Sequence, residues 1–268
     1  MTLALIAGAG ELPAHVARAQ AEPPLVAAME GFAPAGLAPD LTFRIETLGS
    51  LLSALKARGV TQICLLGKVS RPTVDADAID AATAPLMPRL QAAMAQGDDG
   101  ALRGLIALIE EAGFAVVGAH ALAPDLLPPS GVLVGEVSPA HERDAARGAD
   151  IVAALGAADL GQACVVARGQ ALALEALPGT DWMIRSLMGP EGKARAAGLP
   201  HGGLLFKAPK PGQDLRVDMP TIGPETVRAA ADAGLEGIVI AAGGVLMLDR
   251  ALCLARAKEA GLFLWVRP

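Results

Sequence analysis

Short apolar runs alternate with amphipathic stretches along most of this chain. Residues 3–7 form an apolar run closed by Gly8-Ala9-Gly10, and Leu12, Val16 and Ala19 then recur at helical spacing. Residues 24–29 predict a second short strand and residues 43–47 a third. Residues 48–58 predict a helix with Leu51, Leu52 and Leu55 inward, and residues 61–66 a buried strand. Leu86, Leu90 and Met94 repeat every fourth residue on one helix face. Gly97-Asp98-Asp99-Gly100 ends that helix and offers Asp98 or Asp99 as N-cap of the next, with Leu102, Leu105, Ile106 and Ile109 inward. Residues 114–118 predict another strand, followed by His120. Strand–helix alternation of this kind favours a parallel, doubly wound sheet.

Pro124, Pro128, Pro129, Gly131 and Pro139 then break the pattern and mark a linker. The expected organisation is an N-terminal Rossmann-like domain, residues 1–130, and a C-terminal α/β domain, residues 131–268. Within the second, residues 131–135 read as a strand, 140–154 as a helix, and 162–167 with 172–176 as a hairpin around Arg168-Gly169-Gln170. Gly179-Thr180-Asp181 opens a helix with Trp182, Ile184 and Leu187. Residues 203–208 predict a buried strand. Residues 237–241 and 245–248 predict two strands around Gly243-Gly244, and 250–260 and 262–266 a last helix and strand.

Residues 207–226 interrupt this apolar rhythm most sharply. Lys207, Lys210 and Arg216 share twelve residues with Asp214 and Asp218, while Pro209, Pro211 and Pro220 forbid a continuous helix. A rigid charged loop between a buried strand and a helix is where α/β proteins carry their chemistry. A solvated connection with surface ion pairs is the plain alternative.

Composition narrows the function. The chain has 268 residues, 53% apolar, with no Tyr and only 5 Phe, so Leu, Val, Ile and Ala must fill its core. A net charge of −6 argues against a protein that coats nucleic acid, without excluding a local basic pocket. Cys64, Cys164 and Cys253 are distant from one another and set in apolar runs, as expected of reduced core residues in a cytoplasmic protein. No CxxC or Cys/His cluster suggests zinc. The opening residues read as a first strand, not a signal peptide, and no apolar run reaches the ~20 residues a spanning helix needs.

Gly8-Ala9-Gly10-Glu11-Leu12-Pro13 resembles the start of a dinucleotide fingerprint, except that Pro13 stands where a glycine or alanine is expected. Gly8 and Gly10 would let the backbone approach a phosphate, and Glu30 lies where an acid would hold a ribose. A tight strand–helix turn explains the same glycines. Lys68 and Arg71 lie just past a strand's carboxyl end, the side on which open α/β sheets bind ligands. Asp98-Asp99 suits a helix cap or a metal. His120, at a strand end, is the best functional candidate among four histidines without metal spacing. Glycine loops, basic loop residues and isolated carboxylates together point to a phosphorylated ligand, with Mg²⁺ as the fitting ion. No Ser-His-Asp order, Walker loop or kinase signature is present.

Several stretches carry a resemblance: Ile6-Ala-Gly-Ala-Gly-Glu-Leu-Pro13, Gly67-Lys-Val-Ser-Arg-Pro72, Gly97-Asp-Asp-Gly-Ala-Leu-Arg103, Gly118-Ala-His120, Asp159-Leu-Gly-Gln162, Glu175-Ala-Leu-Pro-Gly-Thr-Asp181, Lys207-Ala-Pro-Lys210 and Arg216-Val-Asp-Met-Pro-Thr-Ile-Gly223. In order and spacing the chain resembles the LpxI-type UDP-2,3-diacylglucosamine pyrophosphatases of lipid A biosynthesis, with Met219 where Leu is expected. The resemblance implies a Mg²⁺-dependent hydrolase that splits UDP-2,3-diacylglucosamine into UMP and 2,3-diacylglucosamine 1-phosphate (lipid X). It also implies a homodimer with substrate between the two domains. It puts the essential carboxylate, as metal ligand or base, on Asp218, and puts Thr180, Asp181, Lys207 and Lys210 in the site region. The full candidate set adds Gly8, Gly10, Lys68, Arg71, Asp99, His120, Gln162, Arg216 and Thr221. Peripheral contact with inner-membrane lipid is expected. The competing classes are a dinucleotide-dependent oxidoreductase and a non-catalytic nucleotide-sugar or lipid-binding protein.

Overall fold

The computed structural model describes residues 2–70, 73–95, 97–189, 192, 198 and 200–268; the side chains of Asp98 and Asp99 lie outside the description. The chain divides into two units. One contains residues 1–124 together with Asp214–Asp218, the other residues 125–213 and 219–268.

The first unit is built on a five-stranded parallel sheet in the order β3-β2-β1-β4-β5: β1 (Thr2–Ala7), β2 (Leu25–Met29), β3 (Leu41–Phe43), β4 (Val60–Leu66) and β5 (Ala115–Val116). Between them run α1 (Leu12–Arg18), α2 (Leu48–Ala57), α3 (Met87–Met94) and α4 (Gly97–Glu111), and a single-turn α5 (Ala119–Leu122) follows β5. The chain leaves β1 for β2 on one side and returns to β4 on the other. The strand order therefore reverses at the β1/β4 boundary, and crevices at such reversals bind ligands in open α/β sheets. One face of the sheet buries Ala4, Ala27 and Ile63 against Leu51 and Leu55 of α2 and Ile106 and Ile109 of α4.

Two local expectations fail here for stated reasons. The expected strand at 43–47 stops at Phe43, and Ile45–Thr47 is one 3₁₀ turn. The Arg44 amide donates to Thr47 Oγ1 at 3.1 Å, so a local side chain takes a donor that a strand would need. The buried Glu46 carboxylate pins the turn by accepting from Arg44 and from the Asp75 amide at 2.8 Å. Helix α4 is described from Gly97 on, which puts Asp98 and Asp99 inside its first turn and not at the N-cap position expected of them.

The second unit carries a six-stranded mixed sheet, β6-β13-β11-β9-β7-β8: β6 (Gly131–Val134), β7 (Ala163–Ala167), β8 (Gln170–Leu174), β9 (Leu204–Lys207), β11 (Gly237–Ala241) and β13 (Phe263–Arg267). Strands β9, β11 and β13 run parallel; β6 and β7 flank them antiparallel. The expected hairpin is β7–β8, and the buried Asp144 holds its turn by accepting from the amides of Arg168 at 2.9 Å and Gly169 at 2.6 Å. The long helix α6 (Pro139–Ala157) covers one face, where Ala145 and Val152 meet Phe206 and Phe263. Gly148 permits this approach, because a Cβ there would sit 2.6 Å from the Phe206 Cβ and 2.7 Å from its ring. The other face is covered by α7 (Thr180–Arg185), α8 (Pro224–Asp232) and α9 (Arg250–Glu259) through Met183, Ile184, Val227, Ala230, Cys253 and Ala257.

In the short helix expected after Gly179, Trp182 is 55% exposed, while Met183 and Ile184 take the core positions. The second of the strands expected after Gly237 is β12 (Leu246–Met247). It pairs with β10 (Thr221–Ile222) in a separate two-stranded parallel ribbon, so the polar stretch 207–226 contains a strand of its own. Among the described residues, no helix is long and apolar enough to cross a membrane.

Candidate active site

At the carboxyl end of the first sheet, two glycines meet. A Cβ on Gly8 would lie 2.6 Å from the Lys68 carbonyl oxygen, and one on Gly67 would lie 2.6 Å from the Gly8 carbonyl oxygen. Gly67 also takes φ +91°, a region that side chains disfavour. The Gly8 amide donates to Leu66 at 2.8 Å, and Ala9 and Lys68 exchange backbone hydrogen bonds of 2.9 and 2.8 Å. The loops after β1 and β4 are thus sewn together across the reversal point. Gly8 and Ala9 spend their amides internally, which leaves the open turn at Gly10, φ +103°, as the approach for a ligand. Lys68 is exposed beside it.

Gly118-Ala-His120 follows β5 in the same unit. A Cβ on Gly118 would meet the His120 ring at 2.6 Å and the Arg216 Cα at 3.2 Å, so this glycine seats His120 beside the loop residues 214–218. Among the described residues, His120 Nδ1 is a buried ring nitrogen without a hydrogen-bond partner. An unpaired buried polar atom carries a cost that a bound ligand can remove.

The loop itself is clamped. Arg216 Nε and Nη2 donate to Asp214 at 3.0 and 2.7 Å, and Nη1 donates to Glu110 of α4 at 2.7 Å. The guanidinium holds the Asp214 carboxyl below the usual carboxylate range, and the two acids push the Arg216 pKa up in turn. Val217 packs on the core of the first unit. Asp218 is half-buried, and its amide donates to the Asp214 carbonyl at 3.3 Å. Arg216, one of the candidate site residues, has its charge met here by two carboxylates and clamps the loop that carries Asp218.

The second unit gathers the other motif residues into a largely buried polar network. Lys207, at the end of β9, is only 6% exposed, yet it carries an ammonium. Its Nζ donates to Thr180 Oγ1 at 2.8 Å, and that hydroxyl donates to Glu175 Oε1 at 2.9 Å. Glu175 Oε2 accepts from the Gln162 amide at 3.3 Å. The Gln162 carbonyl accepts from the Ala208 amide at 3.1 Å, and its side-chain oxygen accepts from Gln213 Nε2 at 3.4 Å. Gln213 Oε1 accepts from the Lys210 amide at 2.8 Å, and Lys210 Nζ pairs with Asp159 at 2.6 Å. Glycines make room: a Cβ on Gly161 would meet the Glu175 carbonyl oxygen at 2.3 Å, and one on Gly156 would meet Pro211 at 2.6 Å.

Of the candidate residues, Gln162, Thr180, Lys207 and Lys210 are therefore linked in one hydrogen-bond network. Asp181 is exposed in the first turn of α7, and Thr221 donates to the Met219 carbonyl at 3.2 Å from β10. Arg71 and the Asp99 side chain lie outside the described residues. Sequence reasoning missed Glu175, Asp159 and Gln213. Glu175 was visible as a lone acid closing the apolar strand before Ala-Leu-Pro-Gly, a position that a merely solvated acid has no reason to take. The buried thiols of Cys64, Cys164 and Cys253 are each pushed up to about 12, which removes them as nucleophiles at neutral pH.

A magnesium ion fits this donor set in a limited sense. Among the described residues, no three His, Cys, Asp or Glu groups converge as a ready-made cage. Mg²⁺ typically needs only one or two protein carboxylates when substrate phosphates complete its shell. Asp214 is engaged by Arg216, and Asp218 is the second carboxylate, a hard oxygen donor, of the same loop.

Comparison with known proteins agrees with these motifs. Residues 2–126 match the model of the LpxI N-terminal domain and residues 129–265 that of the LpxI C-terminal domain. The chain is 40% identical to the UDP-2,3-diacylglucosamine pyrophosphatase LpxI of Caulobacter vibrioides, over 97% of this chain and 95% of that protein. With both domain models matched in order and nearly the whole chain aligned, this protein belongs to the LpxI family.

Proposed function

We propose that this protein hydrolyses the pyrophosphate bond of UDP-2,3-diacylglucosamine, giving UMP and 2,3-diacylglucosamine 1-phosphate, a step of lipid A biosynthesis. The observation that carries this reading is the buried Lys207–Thr180–Glu175 chain beside Lys210. A desolvated ammonium held by hydrogen bonds suits a dense anion such as a pyrophosphate. The relative from Caulobacter vibrioides bears the name of this activity.

Displacement at phosphorus requires charge neutralisation and an oriented water. Lys207 and Lys210 bind and neutralise phosphate oxygens. Lys210 exchanges its surface partner Asp159 for the substrate. Asp218 orients the attacking water or holds the metal, on a loop that Arg216 keeps in place. Mg²⁺ bound at Asp218 would neutralise pyrophosphate charge as it develops on the leaving group. Gly10 and Lys68, at the strand-order reversal, suit the nucleotide part. A dinucleotide oxidoreductase would rest its pyrophosphate on the first amides after β1, and those of Gly8 and Ala9 are already donated to Leu66 and Lys68.

On this reading the protein is a cytoplasmic homodimer that meets the inner membrane peripherally. Exposed Leu160, Leu174, Leu177 and Trp182, all in or beside the motifs of the second unit, support contact with lipid. Release of UMP from UDP-2,3-diacylglucosamine in Mg²⁺ buffer, abolished by a chelator and restored by added Mg²⁺, tests substrate and metal together. No UMP release from folded protein would refute the reaction; release that ignores the chelator would refute the metal.

A further inference from the structure

Glu175 stands in the buried chain described above without a role of its own, yet it is only 8% exposed and two donors converge on its carboxyl group. We propose that Glu175 is a positioning residue that fixes the proton order of the Lys207–Thr180 contact and keeps the Lys207 ammonium charged and aimed for phosphate. This inference rests on the reading of the second unit as a phosphate site.

The chemistry follows from donor counting. A threonine hydroxyl has one proton and two lone pairs. Thr180 gives that proton to Glu175 Oε1, at 2.9 Å, so a lone pair faces Lys207 Nζ at 2.8 Å. If the hydroxyl turned its proton toward the ammonium instead, donor would face donor. The other carboxylate oxygen accepts from the Gln162 amide at 3.3 Å. Only a group that accepts at both ends satisfies this geometry. A glutamine cannot: in one orientation its NH₂ faces the Gln162 amide, and in the other it donates to Thr180, freeing the hydroxyl proton to turn. The backbone of Glu175 is fixed as well. Its amide donates to Ala163 at 3.0 Å, and Gly161 leaves room for its carbonyl, which a Cβ would meet at 2.3 Å. Because Lys207, Thr180 and Glu175 are all buried, the carboxylate acts on the ammonium with little screening, and a nearby negative charge favours the protonated amine.

The test uses the full chain with Glu175→Gln, Thr180→Val and Thr180→Ser, after thermal unfolding has shown which variants fold. Glu175→Gln and Thr180→Val are each expected to lower kcat/KM for UDP-2,3-diacylglucosamine by ~10–100-fold, the usual range for a group that acts by orienting another. Thr180→Ser, which keeps the hydroxyl, recovers most of that loss. The second readout needs no turnover: the rate at which a neutral acylating reagent labels Lys207 at fixed pH, followed by mass spectrometry. Glu175→Gln is expected to raise it at least threefold, because the amine loses its nearby counter-charge. If the wild type turns over no substrate, the proposed reaction fails, and the labelling rates still decide the relay. A folded Glu175→Gln with both wild-type labelling and, where turnover exists, wild-type kcat/KM would overturn it. Thr180→Ser as damaged as Thr180→Val would overturn it too.

Discussion

The two sheets prepare their carboxyl ends by opposite means. In the first unit the loops after β1 and β4 are joined backbone to backbone, with Gly8 against Gly67 and Ala9 bonded to Lys68. No side chain is needed, and little charge is fixed. In the second unit the end of β9 is organised by side chains, with Lys207, Thr180, Glu175 and Gln162 in one connected network. The first arrangement shapes a surface; the second stores charge in a place that water does not screen. The difference also separates cations of one loop. Lys207 is buried on a hydroxyl, whereas Arg216, 41% exposed, is matched by Asp214 and Glu110.

The largest expected break is at Lys207. Lys207→Met keeps the stem and removes the charge, so turnover should fall by ~100-fold or more, the scale of losing one electrostatic contact to a transition state. It also leaves Thr180 without a donor, so a modest drop in melting temperature should accompany the loss. Turnover within tenfold of wild type would show that the buried network is structural alone.

The next effect lies in the first unit and falls on stability. Gly67→Ala adds a Cβ at φ +91° that would lie 2.6 Å from the Gly8 carbonyl oxygen. Backbone strain and overpacking together should cost about 2–4 kcal/mol in urea unfolding. The same change at Gly10, where nothing stands within 4 Å of the added carbon, meets only the strain of φ +103° and should cost roughly half as much. Equal costs at the two positions would contradict the close glycine contact.

The smallest effect belongs to Arg216→Gln. The clamp is partly solvated, so its loss should cost at most about 1 kcal/mol of global stability. Its pH dependence has a definite sign. Asp214 is held below its ordinary 3.8 by the guanidinium, so the clamp stabilises fully above that value. The contribution fades as pH falls through the depressed value. Wild type and variant should therefore differ at pH 6 and converge in strongly acidic urea melts. A gap that widens on acidification would contradict the pairing.

Much of this was legible in the residues, and the reasons for the rest are physical. Period-two and period-four patterns gave β1, β4, α2, the β7–β8 hairpin and the last helix and strand, because burial on one face dictates them. The pattern misplaced residues 45–47, where Arg44 and Thr47 bond locally, which a strand pattern cannot show. The motif glycines were visible, but which amides they leave for a ligand was not, since Leu66 and Lys68 arrive from a distant strand. The same holds for charge. Lys207 and Arg216 look alike in sequence; only tertiary packing decides that one is buried and the other partly exposed. Glu175 was quoted in a motif but not singled out as a site residue, because its contact with the Gln162 amide and its link through Thr180 to Lys207 join separate segments.

Asp218 carries the central claim. In Asp218→Asn the Arg216 clamp and the core contact of Val217 persist, so the loop should hold its shape. With UDP-2,3-diacylglucosamine and Mg²⁺, side by side with wild type, the variant should bind substrate with little change and release UMP at least ~100-fold more slowly. A folded Asp218→Asn that releases UMP at a near-normal rate would contradict the account.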